Sequence, residues 1–397
     1  MIRSFSKLLI CVAAVAFSVV QVSSAVSASG SSVQTAAKTQ TAAEQLETVS
    51  APGYILSEMQ TGTVLYEKNA DSKIHQSHFA KLMTLLLLAE KLDKGELSKT
   101  DAFTVTDRAN AQGDPQIWLD KGEEISVDEL IKSITVGNAN DAAVTIAENI
   151  CSSESEFVNE MNVRAKQIGM ENTHYSDSTG ISKSNVTTAR DLSRLCLELS
   201  RYDFLTPYLK TWLVNVRSGM AELVNSNRLV RNYKGITGMK ACSAKDIRSC
   251  ACVTAEKGGM KLCAVVIGCA DNDKRDDDVK KLLKCGYEGF QLYSPEIPKE
   301  LLQSIPVTHG EELECELKAE CEPLVIIKRG TASELKAESK REEKLEAPVE
   351  QGRVCAVYSL YDDKKCVFTV NIVSANSVGK MNWPCAVKKL LYNLIKL

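Results

Sequence analysis

An α+β fold is predicted for the body of this chain, and three observations carry the prediction. Strand-like runs stand at both ends of the stretch from residue 51 to 292, a block of helical patterns fills its middle, and short charged strands follow it. The expected architecture is an antiparallel sheet with a helical block over residues 51–292, a small all-β domain over 296–378, and an amphipathic C-terminal helix over 383–397. The 397 residues suffice for two or three domains and a sizeable core.

The elements follow in chain order. Arg3 and Lys7, an apolar run from Leu8 to Val20, and then small residues have the three-part layout of a secretory signal over residues 1–28, with cleavage after Ala25 or Ala28. The alternative, an uncleaved anchor, is disfavoured because the run is short for a membrane span. Residues 29–50, rich in Ser, Ala, Thr and Gln, read as a flexible linker. "PGYILSEMQTGTVLYEKNAD" gives a hairpin, with runs Tyr54 to Ser57 and Thr63 to Tyr66 around a Gln60-Thr61-Gly62 turn. In "QSHFAKLMTLLLLAEKL", Leu82, Leu85, Leu86 and Ala89 recur at helical spacing, and Leu87 and Leu88 make the helix apolar nearly all round. Such a helix belongs in the middle of a domain.

Two capping boxes, Ser126-Val-Asp-Glu129 and Ser153-Glu-Ser-Glu156, open the next helices, the second of which stops at Gly169. "DLSRLCLELSRYDF" continues the helical block. From residue 212 the texture turns to strands: "TWLVNV", then "RSCACVTAEKGGMKLCAVVIG" as a hairpin, and "DDVKKLLKCGYEGF" as a closing helix before Pro295. Beyond it, "LECELKA", "PLVIIKRG" and a hairpin around Tyr361-Asp-Asp-Lys-Lys read as strands, while "ELKAESKREEKLEAP" reads as a solvated connection. In the final helix Val387, Leu390, Leu391, Leu394 and Ile395 share one face opposite Lys388, Lys389 and Lys396, with Trp383 at its start. That composition suits a helix lying on a bilayer surface; packing on its own domain is the alternative, and the segment is too short to span.

With 48 Lys plus Arg against 51 Asp plus Glu, nothing in the charge points to a nucleic-acid partner. Fourteen cysteines fall to 13 once the signal is removed, a number that cannot pair completely, and no C-x-x-C occurs; most are expected to be buried small hydrophobes. Four histidines without ligand spacing predict no metal, and no cofactor is expected.

Taken in order, "ILSEMQTGTVLYEKNAD", the Lys81 helix, "GEEISVDELIKSITVGNANDAAVTIAE", "MNVRAKQIGMENTHYSDSTGI", "VTTARDLSRL" and "LVNSNRLVRNYKGITGMK" resemble the low-molecular-mass penicillin-binding proteins. These are the serine-type D-alanyl-D-alanine carboxypeptidases that trim peptidoglycan stem peptides. The resemblance implies a penicillin-binding-protein/β-lactamase-like transpeptidase domain and three motifs lining one cleft. In Ser-x-x-Lys a lysine of lowered pKa takes the proton of the serine nucleophile; here the four residues are His78-Phe79-Ala80-Lys81. In Ser-x-Asn a hydroxyl relays protons and an amide holds substrate; here Asn138-Ala139-Asn140 has an amide for the hydroxyl. Lys-Thr-Gly meets the substrate carboxylate; here Lys240-Ala241-Cys242 keeps the cation, loses the hydroxyl, and puts a side chain where glycine leaves room. Thr237-Gly238 is an upstream decoy, since it would leave Ile236 in the lysine's place.

Every motif hydroxyl is therefore missing, while the lysines and Asn140 remain. Ser77, four residues before Lys81, is the alternative nucleophile, but a one-residue offset turns a side chain by about 100° around a helix, away from the cleft. Its plainer reading is a helix-capping serine. His78 is expected to fill the nucleophile site neutral, hydrogen-bonded to Asn138 or Lys81, and Cys242 to pack. The resemblance thus implies an exported bacterial protein at the outer face of the membrane or in the cell wall. Its expected partners are D-Ala-D-Ala stem peptides and the membrane surface. The leading role is a pseudoenzyme that binds those peptides or regulates an active relative. The alternatives are an active D,D-carboxypeptidase using Ser77 and a purely structural envelope protein.

Overall fold

The computed structural model describes residues 46–387. Strands β1 (Gly53–Glu58) and β2 (Val64–Lys68) form the first hairpin. Five helices of the middle block follow: α1 (Ala80–Asp93), α2 (Val127–Thr135), α3 (Asn140–Ile150), α4 (Glu154–Gln167) and α5 (Ala189–Leu199). Both capping boxes form, with Ser126 Oγ accepting from Glu129 N and Ser153 Oγ from Glu156 N. A hairpin of β3 (Leu213–Val216) and β4 (Ala221–Val224) leads to β5 (Ile236–Ala244), β6 (Arg248–Lys257) and β7 (Met260–Cys269), and α6 (Asn272–Gly289) closes the domain.

The strands from the two ends of this domain make one antiparallel sheet in the order β2-β1-β7-β6-β5. Its two faces follow the alternation of the sequence. Ile55, Cys250, Cys252, Cys263 and Val265 point into the core shared with the helical block. Leu56, Ala251, Val253, Leu262 and Ala264 point to the other core, which is completed by Val279, Leu282 and Leu283 of α6. The sheet is thus the middle of three layers. The cysteines on its helical side are packing residues, and nine of the described thirteen are buried. Helix α1 is buried from Ala80 to Ala89, which explains why its apolar residues show no preferred side.

Three sequence expectations need correction. The end of the presumed linker is docked: Val49 is buried, and Ser50 donates its N–H and its hydroxyl (2.8 Å) to the Asp278 carboxylate of α6. "ELKAESKREEKLEAP" is not a plain connection, because Lys336–Arg341 pairs antiparallel with Val354–Asp362. It is an edge strand, and edge strands carry charge because charge discourages further pairing. Ser77 caps no helix, since neither its own short turn nor α1 has a side-chain cap.

Past α6, β8 (Phe290–Tyr293) pairs with Val325–Lys328, so a sheet straddles the expected domain boundary. The four-stranded sheet beyond has Leu317–Ala319, Lys365–Ser374, Val354–Asp362 and Lys336–Arg341 in that order. Residues 383–387 are helical; the rest of the expected terminal helix, like the expected signal and residues 29–45, lies outside the described residues. No described helix is long and apolar enough to cross a membrane.

The Ser50 clamp makes a first prediction. Asp278 is fully buried, so Asp278→Ala should lower stability by about 1–3 kcal/mol, read as a urea-denaturation midpoint shift at constant slope.

Candidate active site

A cleft of about 660 Å³ opens between the edge strand β5 and the helical block, and His78, Asp114, Asn138, Arg228, Cys242 and Arg275 are among the residues that line it. His78 reaches it because of an unusual turn. Ser77–Phe79 form one 3₁₀ turn ahead of α1, and Ser77 enters that turn with φ 47°, in the left-handed region. The bend is held from outside by Gly180, on which a Cβ would stand 1.8 Å from the Ser77 carbonyl oxygen. Ser77 is thereby buried, does not line the cleft, and makes no hydrogen bond through its hydroxyl among the described residues. It is the turn, not a continuous helix, that separates Ser77 from His78.

Lys81, second residue of α1, is fully buried and donates its Nζ to the Thr179 carbonyl at 2.7 Å. Burial, followed by the Lys240 ammonium, lowers its pKa to about 7. His78 makes no hydrogen bond to Lys81 or Asn138. Burial first, and then the nearby Lys81 and Lys240, lower its pKa to about 3, so the ring is neutral at neutral pH. The neutrality was expected on account of Lys81; the larger cause is loss of water.

Asn138 sits between α2 and α3 at φ 56°, a conformation asparagine tolerates well. Its Oδ1 accepts from Lys240 Nζ at 2.6 Å. That ammonium, on β5, also donates to Ile134 O at 2.8 Å, in the last turn of α2, where a cation complements the helix dipole. Burial lowers the Lys240 pKa to about 8. The structure therefore brings the second and third motif positions into direct contact, through Lys240 and not through the Thr237-Gly238 decoy. Cys242 lines the cleft beside them, but burial holds its thiol well above its usual pKa, so it stays protonated. Ala241 is packed in the α6-side core and offers the cleft a carbonyl instead of a side chain.

Asn140 is turned to a structural task. It is fully buried, with Nδ2 donating to Gly113 O at 2.9 Å and N to Pro115 O at 2.7 Å. Lys81, Asn140 and Lys240 thus line the site from behind; none of the three faces the open cleft.

Sequence reading passed over other residues that line it. Ser226 Oγ donates to Ala241 O at 2.5 Å and accepts from Asn138 Nδ2 at 3.3 Å, bridging the two motifs. Arg275 donates from Nε to Asp276 at 2.8 Å and from Nη1 to Asn272 Oδ1 at 2.9 Å. Arg228 donates from Nε to the other oxygen of Asp276 at 2.8 Å. Arg275 was hidden in the charge run "NDKRDDD", which looks like a solvated helix face. No group of described residues could hold a metal.

The buried amines give a pH prediction. A lysine that titrates near 7 when folded and near 10.5 when unfolded leaves the unfolded chain holding more protons between those values, so this term raises stability as pH increases through that window. The stability difference, Lys81→Met minus wild type, should therefore be largest at pH 6 and shrink towards pH 9.5, by at most about 1.4 kcal/mol per pH unit. Denaturant titrations at both pH values check it.

Comparison with known proteins matches this geometry. Residues 37–271 fit the family model described as D-alanyl-D-alanine carboxypeptidase, and residues 287–380 fit that of the penicillin-binding protein 5 C-terminal domain. The D-alanyl-D-alanine carboxypeptidase DacF of Bacillus subtilis is 30% identical over 343 residues, 85% of this chain and 88% of its own. DacC of Escherichia coli is 30% identical over 332 residues, covering 80% of this chain and 82% of its own. The crystal structure of penicillin binding protein 5 from Haemophilus influenzae superimposes with a TM-score of 0.77 at 24% identity, over 84% of this chain and 98% of that one. Penicillin-binding protein D2 of Listeria monocytogenes, in its ampicillin-bound form, aligns at 28% identity and a TM-score of 0.52, over 60% of this chain and 98% of that one. With the fold, the cleft and both family models in agreement, the chain belongs to the D-alanyl-D-alanine carboxypeptidase family of peptidoglycan metabolism.

Proposed function

We propose that this chain is a non-catalytic member of its family, a pseudoenzyme that holds D-Ala-D-Ala ends of peptidoglycan stem peptides without cutting them. One observation carries the reading: the position of the family's nucleophile holds His78, a neutral imidazole with no hydrogen bond to Lys81, whose amine is committed to the Thr179 carbonyl. Acyl transfer needs a nucleophile within reach of its base. Ser77 does not supply one, because its hydroxyl makes no hydrogen bond to Lys81.

The anionic end of the peptide is assigned to Arg228, the part-exposed guanidinium that lines the cleft, since both motif lysines and Arg275 are buried. Bound peptide would then be shielded from, or presented to, an active relative. Export by residues 1–28 and attachment to the membrane surface through residues 383–397 complete the proposal; Trp383, 81% exposed, suits an interfacial position.

Incubation of the full chain with a fluorescent penicillin should leave no covalent label. A stable adduct would overturn the non-catalytic reading, and mass spectrometry would name the residue. The His78→Ser variant alone should label little. A fourfold His78→Ser, Asn138→Ser, Ala241→Thr, Cys242→Gly revertant should label at least tenfold more, because acylation draws on all three motifs together.

A further inference from the structure

We infer that Cys196 is one end of a disulfide that ties helix α5 to the central sheet, with Cys252 of β6 and Cys263 of β7 as its alternative partners. Reduced, the three thiols pack as described above; oxidised, two of them cross-link. None of the three lines the cleft, so the inference is independent of what the cleft binds.

All three residues are fully buried in the core between the sheet and the helical block. Strand register explains why they meet. Cys263 stands opposite Ser57 of β1, and Ser193 of α5 donates its hydroxyl to Ser57 Oγ at 3.0 Å, so the helix crosses the sheet at this point. Cys196 follows three residues after Ser193, on the same side of the helix, and its thiol hydrogen-bonds with those of Cys252 and Cys263. These contacts, followed by burial, hold its pKa well above the usual thiol range.

The two strand cysteines do not suit each other. Cys252 stands opposite Val265 and Cys263 opposite Thr254, which makes them diagonal neighbours. Diagonal positions lie about 7–8 Å apart, wider than the roughly 4.4–6.8 Å between Cα atoms that a disulfide spans. Cys250, on the same face, is engaged elsewhere, its Sγ donating to Ile247 O and accepting from Gly268 N, both at 3.3 Å. Cys196 is therefore the member common to either bond. Drawing two sulfurs together needs room in an interior otherwise close-packed, and a pocket of about 140 Å³ bordered by Cys263, Ser57, Ser193 and Leu197 supplies it.

The reaction is thiol–disulfide exchange with a small disulfide such as oxidised glutathione. One cysteine thiolate attacks a glutathione sulfur, forming a mixed disulfide and releasing one glutathione thiolate. A second cysteine thiolate attacks the protein sulfur of that mixed disulfide, closing the cross-link and releasing the other. Two protein thiols thus lose two protons and two electrons, and one disulfide becomes two thiols. Exchange belongs to folding, before burial removes the thiols from solvent; afterwards the same burial protects the bond. Export, as proposed above, would place the chain where such bonds persist.

Refolding of the full-length chain from denaturant in a glutathione redox buffer tests the inference, with acid trapping, alkylation under denaturing conditions and peptide mapping as the readout. The peptide carrying Cys196 should be recovered joined to the one carrying Cys252 or the one carrying Cys263. Cys252→Ser and Cys263→Ser should each keep a Cys196 bond, now to the remaining partner, and the two substitutions together should abolish it. A Cys196 that is fully alkylated in the wild-type chain, bonded to a cysteine outside the cluster, or left unbonded by either single variant overturns the inference. Because the buffer supplies the oxidant, failure of the chain to be exported leaves this test unaffected.

Discussion

The Lys240 ammonium is the contact on which the cleft depends. An amine buried this completely must find acceptors or lose its charge. Here it finds the Ile134 carbonyl at the end of α2 and the amide of Asn138, so one side chain of the edge strand β5 fastens the sheet to the helical block. The rest of the wall follows from that fastening. Asn138 is fixed by Lys240 and in turn meets Ser226, and Ser226 returns to the β5 backbone at Ala241. The cleft is closed at its floor by a ring of hydrogen bonds through Asn138, Ser226, Ala241 and Lys240, which joins the second and third motifs and leaves out the first, where chemistry would begin.

That exception separates fold from function. His78, Lys81 and Lys240 are all bases whose protonated forms are disfavoured by burial. In a working acylase a weakly basic environment serves to ready a lysine for a hydroxyl proton. Here the tuned amine donates to the Thr179 carbonyl. The open face of the cleft is lined in part by residues outside the three motifs, among them Asp114, Trp212 and Arg228.

Most of the fold was legible because its cues are periodic. Helical spacing placed α1, the two capping boxes placed α2 and α4, and turn residues placed the hairpins. What escaped was what periodicity cannot carry. The edge strand at Lys336–Arg341 has no buried face to pattern it, so its charges looked like solvation. Ser50 looked like linker because its partner Asp278 lies 228 residues away. The site divided in the same way. Motif positions were found through the family resemblance, and three of them stand behind the cleft. Arg275, Ser226 and Asp114 come from separate stretches, and the topology that gathers them leaves no mark in any one stretch.

The hydrogen bond from Ser226 to Ala241 bears on a different matter, the sociability of the sheet. Strand β5 is the last strand on its side, and an open sheet edge invites any extended chain to pair with it. A hydroxyl occupies one outward carbonyl here, a guard worth only about 1 kcal/mol. It is strong enough to make casual pairing between copies unrewarding, and weak enough for a ligand with better contacts elsewhere in the cleft to displace. The edge is kept shut against neighbours without being sealed.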